Sequence, residues 1–201
     1  MKEVQGFGDQ AIATLQTNAI VPEGMGVEGH YHVVCRDKDG NIKWEEEFPN
    51  LVVAAGKELM LNTLLRTSGT YTTVGPFLGL TNATLTPAAT DTMTTLVGGS
   101  KEFTNYTVGG SAVRGTATFA AATSTGTTPS NVTSSTATAI TYTITGAGGT
   151  VYGCFLVTGT GAVSTQSSTA GTLYSEGNFS TAKVTTAGDT VSVTYSTTAT
   201  S

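Results

Sequence analysis

The sequence predicts a mainly β protein: a β-sandwich or jelly-roll-like domain with an N-terminal arm, one β-hairpin and one short α-helix. Three observations carry that prediction. Charged residues make up only 11% of the 201 residues, against roughly 25% in an ordinary globular chain, so Thr and Ser hydroxyls must cover much of the surface. Thr suits strands, because its branched Cβ packs on a pleated sheet while the hydroxyl stays wet. Short runs of alternating or β-branched residues recur between Gly, Pro, Asn and Asp turns, the pattern of two packed antiparallel sheets. Strong helix formers gather in one place alone. No repeat of fixed length appears, which argues against a solenoid or propeller.

Residues 1–27 read as an extended arm. Gly6, Gly8, Pro22, Gly24 and Gly26 interrupt it, and its apolar content is a short patch at Ala11-Ile12-Ala13-Thr14-Leu15 with a few flanking residues. Such a segment cannot bury enough apolar surface alone and becomes ordered against a partner. Phe7, Ile12, Leu15, Ile20 and Val21 are therefore candidate interface residues. Residues 28–201 form a single β-rich domain. Its organising stretch is a hairpin over 30–48, with the turn Asp37-Lys38-Asp39-Gly40-Asn41, where Gly40 supplies the positive φ that a tight turn needs. Pro49 ends the hairpin. Leu51, Val52, Ala55, Leu59, Leu61, Leu64 and Leu65 then recur at three- and four-residue intervals among Ala, Lys, Glu and Met, which predicts a helix over about 52–66.

The sandwich occupies 70–201. Tyr71 to Val74 reads as its first strand. The apolar run Phe77-Leu78-Gly79-Leu80 suits a strand buried on both faces. Short strands are predicted over 102–106 and 113–119, followed by a loose, low-complexity link over 120–135. Over 138–145, Ile140, Tyr142 and Ile144 alternate with Thr141, Thr143 and Thr145 and define two faces. Residues 151–157 contain Cys154, Phe155 and Leu156 and read as a core strand. Residues 171–179 read as apolar positions around a break, and Val191, Val193 and Tyr195 mark the last strand.

The net charge of -5 and pI near 4.9 argue against nucleic acid, because phosphate binding needs clustered Lys and Arg. No run of eighteen apolar residues spans a membrane. Residues 1–8 are polar and lack the apolar stretch of a secretory signal, so synthesis in the cytoplasm is expected, with Cys35 and Cys154 as free, buried thiols. His30 and His32 share a strand face with Glu28, and a His-x-His pair ligates zinc or iron when a third ligand joins. With no further His in the chain and Cys35 on the face opposite His32, no metal is expected. In Glu45-Glu46-Glu47, alternation separates Glu46 from its neighbours. The three acids read as cross-strand partners of Arg36, Lys38 and Lys43 or as a solvated rim, since paired catalytic carboxylates come from separate elements and flank a substrate. Neither a phosphate loop nor a nucleophile elbow is present. No catalytic residue and no cofactor are expected. Tyr31 and Trp44, on the hairpin, read as core or interface anchors, or as a platform for a sugar ring.

The hairpin His32-Val33-Val34-Cys35-Arg36-Asp37-Lys38-Asp39-Gly40-Asn41-Ile42-Lys43-Trp44-Glu45-Glu46, then Pro49-Asn50-Leu51-Val52, Gly79-Leu80-Thr81-Asn82, Asp91-Thr92-Met93, Gly171-Thr172-Leu173-Tyr174 and Gly188-Asp189-Thr190-Val191-Ser192-Val193-Thr194-Tyr195 resemble a class of small virion structural proteins of tailed bacteriophages. The resemblance runs from Glu28 onward and leaves the arm outside it. It implies a β-rich protein without enzymatic activity, placed on the capsid as a decoration or cement protein or associated with the tail and fibre. A compact domain with one arm suits capsid binding across coat-subunit junctions, where several copies share avidity, whereas a fibre needs a long shaft or coiled coil. The expected partners are the major capsid protein and further copies of the chain, a trimer being common at quasi-threefold positions. The expected location is the virion, on the capsid surface. A carbohydrate-binding β-sandwich remains as an alternative from another class.

Overall fold

The computed structural model describes residues 26–66, 74–125 and 131–200. The arm residues Phe7, Ile12, Leu15, Ile20 and Val21 lie outside it, as does most of the expected strand over 71–74. The described chain is mainly β. Its first hairpin pairs β1 (Gly26–Arg36) with β2 (Ile42–Val52). The turn forms as its sequence dictates: Gly40 sits at φ +88°, and the Asp37 carboxylate accepts from the amides of Asp39 and Asn41 at 2.9 and 2.8 Å. An Asx carboxylate closing its own turn is the local reason this hairpin starts here. The helix α1 (Ala54–Leu65) follows, then β3 (Phe77–Thr81), a short helix α2 (Met93–Gly98), β4 (Glu102–Phe103), β5 (Tyr106–Thr107) and β6 (Gly115–Thr116). The remaining strands are β7 (Thr123–Thr125), β8 (Asn131–Ser135), β9 (Ile140–Ile144), β10 (Gly149–Thr158), β11 (Thr172–Thr185) and β12 (Thr190–Thr200).

All strand pairs are antiparallel, and the main path runs β4-β3-β10-β11-β2-β1-β12-β8-β7. One half, β1, β2, β12 and β9 with the short β5, β7 and β8, faces the other, β3, β10 and β11 with β4 and β6. Two tyrosines cross the space between them. Tyr31 of β1 and Ser175 of β11 share a hydrogen bond of 2.9 Å, and Tyr142 of β9 donates to the Leu78 carbonyl of β3 at 2.9 Å. The halves join where Ser175 and Glu176 of β11 pair with Val52 and Leu51 of β2. On the inner face Tyr31, Val33 and Cys35 of β1 meet Tyr195, Val193 and Val191 of β12, and all six are fully buried.

A second, smaller core lies on the other side of β10 and β11. Leu85, Met93 and Leu96 cover Val53, Phe155, Val157 and Leu173 there. The segment from 82 to 101 that carries α2 is therefore a lobe packed against the outer face of the sheet. It explains why β3 and β11 are buried on both faces.

Several expectations need correction. The chain has a second helix: Thr92 caps α2 and shares a reciprocal capping box with Thr95, a short-range signal hidden among many threonines. The strand expected over 113–119 shortens to Gly115–Thr116, because the backbone on either side turns to other partners: Arg114 donates its amide to the Ser164 carbonyl, and Phe119 bridges to Thr136. The link over 120–135 contains β7 and β8: β8 forms because β12 continues past Tyr195 and offers Ser196 to Ala199 as a template, and β7 pairs with β8 in turn. No break interrupts 171–179; β11 runs straight through Gly177, whose missing Cβ lets Phe48 and the Pro49 carbonyl come close.

Candidate docking surface

The helix α1 is anchored at one end. Val53 donates its amide to the Tyr174 carbonyl at 3.1 Å, and Ala54 donates to the Ala89 carbonyl at 2.8 Å, so two of the free donors of the helix N-terminus are satisfied by tertiary structure. Gly56 lies flat on Tyr174; a Cβ there would meet the Tyr174 carbonyl oxygen at 2.6 Å. Gly56 is the sole buried residue of the helix.

Beyond that contact the helix carries apolar residues outward. Leu61 is 48% exposed, and Leu64 and Leu65 are 75% exposed each. Two open apolar clefts flank them. One, of about 210 Å³, is lined by Leu59, Met60, Thr63, Leu64, Thr158 and Tyr174. The other, of about 130 Å³, is lined by Val27, Lys57, Met60 and Leu61. A helix normally turns its leucines to the core, so exposed leucines beside apolar clefts mark a face that another chain can cover. Because Val27 lines the second cleft, the chain preceding Gly26 joins the domain directly beside this face.

Tyr31 sits in the core, fully buried, between Phe48 and Tyr195 at ring distances of 5.3 and 4.7 Å. It offers nothing to a partner surface. Trp44 is half-buried and meets Phe179 edge-on at 5.4 Å. Tyr31, fully buried, has no face to offer a sugar, whereas Trp44 keeps part of its surface exposed. Leu61, Leu64 and Leu65, read from the sequence only as marks of a helix, form an exposed face. The signal that could have found them is the helix pattern itself, since Leu59, Leu61, Leu64 and Leu65 do not fit one narrow stripe.

Many of the described titratable residues pair with one another. His32 Nε2 lies 2.8 Å from Glu45, and His30 Nδ1 lies 4.0 Å from Glu47, both pairs on the exposed face of the hairpin. Glu46 reaches Lys183 of β11 at 2.8 Å, and Lys43 reaches Asp189 at 2.6 Å. The three acids do make cross-strand pairs, but with His32, His30 and Lys183 rather than with Arg36, Lys38 and Lys43. Among the described residues no group of three or more His, Cys, Asp or Glu is disposed to hold a metal ion. Cys35 and Cys154 are free and buried; burial raises the Cys35 thiol to about 11 and raises Cys154 further still. Thiols so poorly ionised are weak nucleophiles.

One ion pair is fully enclosed. Arg114 donates through Nε and Nη2 to the two oxygens of Glu102 at 2.8 and 2.7 Å, and through Nη2 to the Ser168 carbonyl at 2.8 Å. The Ser167 amide donates to Glu102 at 2.8 Å, and the guanidinium lies 5.2 Å from the Phe155 ring centre. Its donors and acceptors are directed at protein groups, which makes it a fastening between loops. Among the described residues no helix is long and apolar enough to cross a membrane. No protein-family model matches the chain, and neither a curated protein nor a solved structure matches it at a significant level.

Proposed function

We infer that this protein is a non-enzymatic structural protein of a tailed-phage virion, a decoration or cement protein that binds the coat-protein shell beside copies of itself. The observation that supports this most is the bare leucine face of α1 with its two apolar clefts, on a domain whose ionisable side chains are mostly spent on one another. Burying Leu61, Leu64 and Leu65 against a shell would contribute roughly 4 kcal/mol, taking about 1.5 to 3 for each fully covered leucine and discounting for present burial. That is modest for one copy. Repetition across a shell raises effective affinity without any new contact, and a decoration protein is used in repetition. The resemblance to phage virion proteins supplies the identity of the partner, the major capsid protein. The arm, entering at Val27 beside Met60 and Leu61, would extend the same attachment surface.

Co-sedimentation with shells assembled from purified coat protein tests the reading. The unaltered protein should pellet with shells, and the double substitution Leu64→Asp with Leu65→Asp should weaken that binding by at least about tenfold, or 1.4 kcal/mol, while its circular dichroism stays the same. Equal binding by the variant would remove α1 from the attachment surface. Binding to purified tails in place of shells would replace the capsid reading with the tail-associated one.

A further inference from the structure

Glu176 of β11 is 2% exposed, and its Oε1 has no hydrogen-bond donor. In the sheet its direct neighbours are Phe155 of β10 and Leu51 of β2, both apolar. Alternation turns Ser175 toward the core and Glu176 toward the lobe that carries α2. There it lines a small cavity of about 40 Å³ with Leu85, Thr86, Asp91, Thr95, Leu96 and Lys101. The lobe is also tied to β11 two residues further on, where Asn178 accepts from the Leu85 amide at 2.9 Å and donates to the Leu85 carbonyl at 3.0 Å.

The side chain facing Glu176 is another carboxylate, Asp91, whose oxygens already accept from the Ala88 amide at 2.8 Å and from Thr95 Oγ1 at 3.4 Å. Two ionised carboxylates have only acceptors to offer each other, and side by side in a poorly solvated site they repel. A single proton between them turns the repulsion into a hydrogen bond. We propose that Glu176 and Asp91 share one proton, and that this proton fastens the 82–101 lobe onto β11, so that alkaline pH releases the fastening and loosens the lobe.

The charged groups facing the pair fix the direction. Asp91 comes from the loop before α2 and Lys101 from the loop after it; beyond the Phe155 ring, Arg114 and Glu102 neutralise each other. Burial first, then the hydrogen bond and charge of Asp91, raise Glu176 from 4.5 to about 8, against the smaller opposing pull of Lys101 and the Ala88 amide. For Asp91, burial is outweighed by the hydrogen bonds from Glu176, Ala88 and Thr95 and by Lys101, and its carboxyl is held below the ordinary range. Glu176 therefore carries the proton and Asp91 accepts it. A carboxyl whose pKa rises on folding stabilises most when both states are protonated. Its contribution is whole below 4.5, declines as pH rises, and is gone above about 8. Asp91 acts in the opposite sense and only in acid, below its ordinary value of 3.8.

Carboxyl-carbon NMR titration of the full chain reads the proton directly. One glutamate carboxyl should titrate with its midpoint near 8, vanish in Glu176→Gln, and shift downward in Asp91→Asn. Hydrogen exchange reads the fastening: corrected for base catalysis, the amides of Asn82, Leu96 and Lys101 should open at least about tenfold more often at pH about 10 than at about 6. In Glu176→Gln, whose amide donates to Asp91 at any pH, they should not. A Glu176 carboxyl that titrates with the ordinary glutamates would overturn the proposal, and so would the same alkaline opening in Glu176→Gln. The titration of the unaltered chain decides the matter even if a variant fails to fold.

Discussion

Arg114 heads the fully buried side chains by volume. A charge so enclosed is tolerated because Glu102 meets it with both oxygens and because Ser168 and Ser167 fill the remaining hydrogen-bonding positions. Removing one partner strands the other, which costs about 3 to 5 kcal/mol, while replacing both with apolar groups of similar size is often neutral. Arg114→Met should lower the unfolding free energy from urea titration by an amount in that range, and Arg114→Met with Glu102→Leu should recover most of the loss. Recovery absent in the double variant would mean that the pair stabilises the fold outright. The sequence did not disclose this pair. Glu102 and Arg114 are twelve positions apart in a stretch read as two strands, and the atoms that satisfy them come from the 163–168 loop. Alternation did disclose the faces of β1. It separated His32 from Cys35, but it could not say that the Tyr31 face turns inward, because an aromatic ring suits a core and an interface equally.

At the scale of elements, local chemistry was legible and pairing was not. The hairpin was legible because Asp37, Gly40 and Asn41 build their turn from within five residues. The helix was legible from its formers, yet its orientation was not, since what places it is Gly56 lying on Tyr174. That contact carries a prediction. Gly56→Ala would raise helix propensity by about 1 kcal/mol, but the added Cβ would meet the Tyr174 carbonyl oxygen at 2.6 Å. Overpacking of this kind costs about 1 to 3 kcal/mol, so the melting temperature should fall; a rise would mean that α1 can lift from β11 without loss. The far end of the helix behaves differently. Leu64 and Leu65 are 75% exposed each, so Leu64→Asp and Leu65→Asp should change stability by less than about 0.5 kcal/mol each by thermal melting. The strands β7 and β8 escaped notice because the end of β12, on which β8 pairs before β7 adds to it, lies more than sixty positions away.

As a whole molecule, the protein joins two antiparallel halves around one core and hangs a lobe and a helix on the outside. Composition foretold the first part: few charges, abundant Thr and regular turns leave little but a sandwich. It did not foretell the lobe, whose short helix is capped by threonines indistinguishable in sequence from their neighbours. The arm belongs to this scale too. Since β1 begins at Gly26 and pairs fully with β12, a chain lacking residues 1–25 should keep its unfolding midpoint, and its affinity for shells should fall. Loss of folding in that truncation would show instead that those residues complete the domain.

The most direct measurement of the central claim is cryo-electron microscopy of the intact particle, with this chain located in the density. Passive attachment through α1 predicts repeated copies on the outside of the shell, each with Leu61, Leu64 and Leu65 turned onto coat protein. Particles that lack the chain, or copies on the shell that turn α1 to solvent, would contradict it.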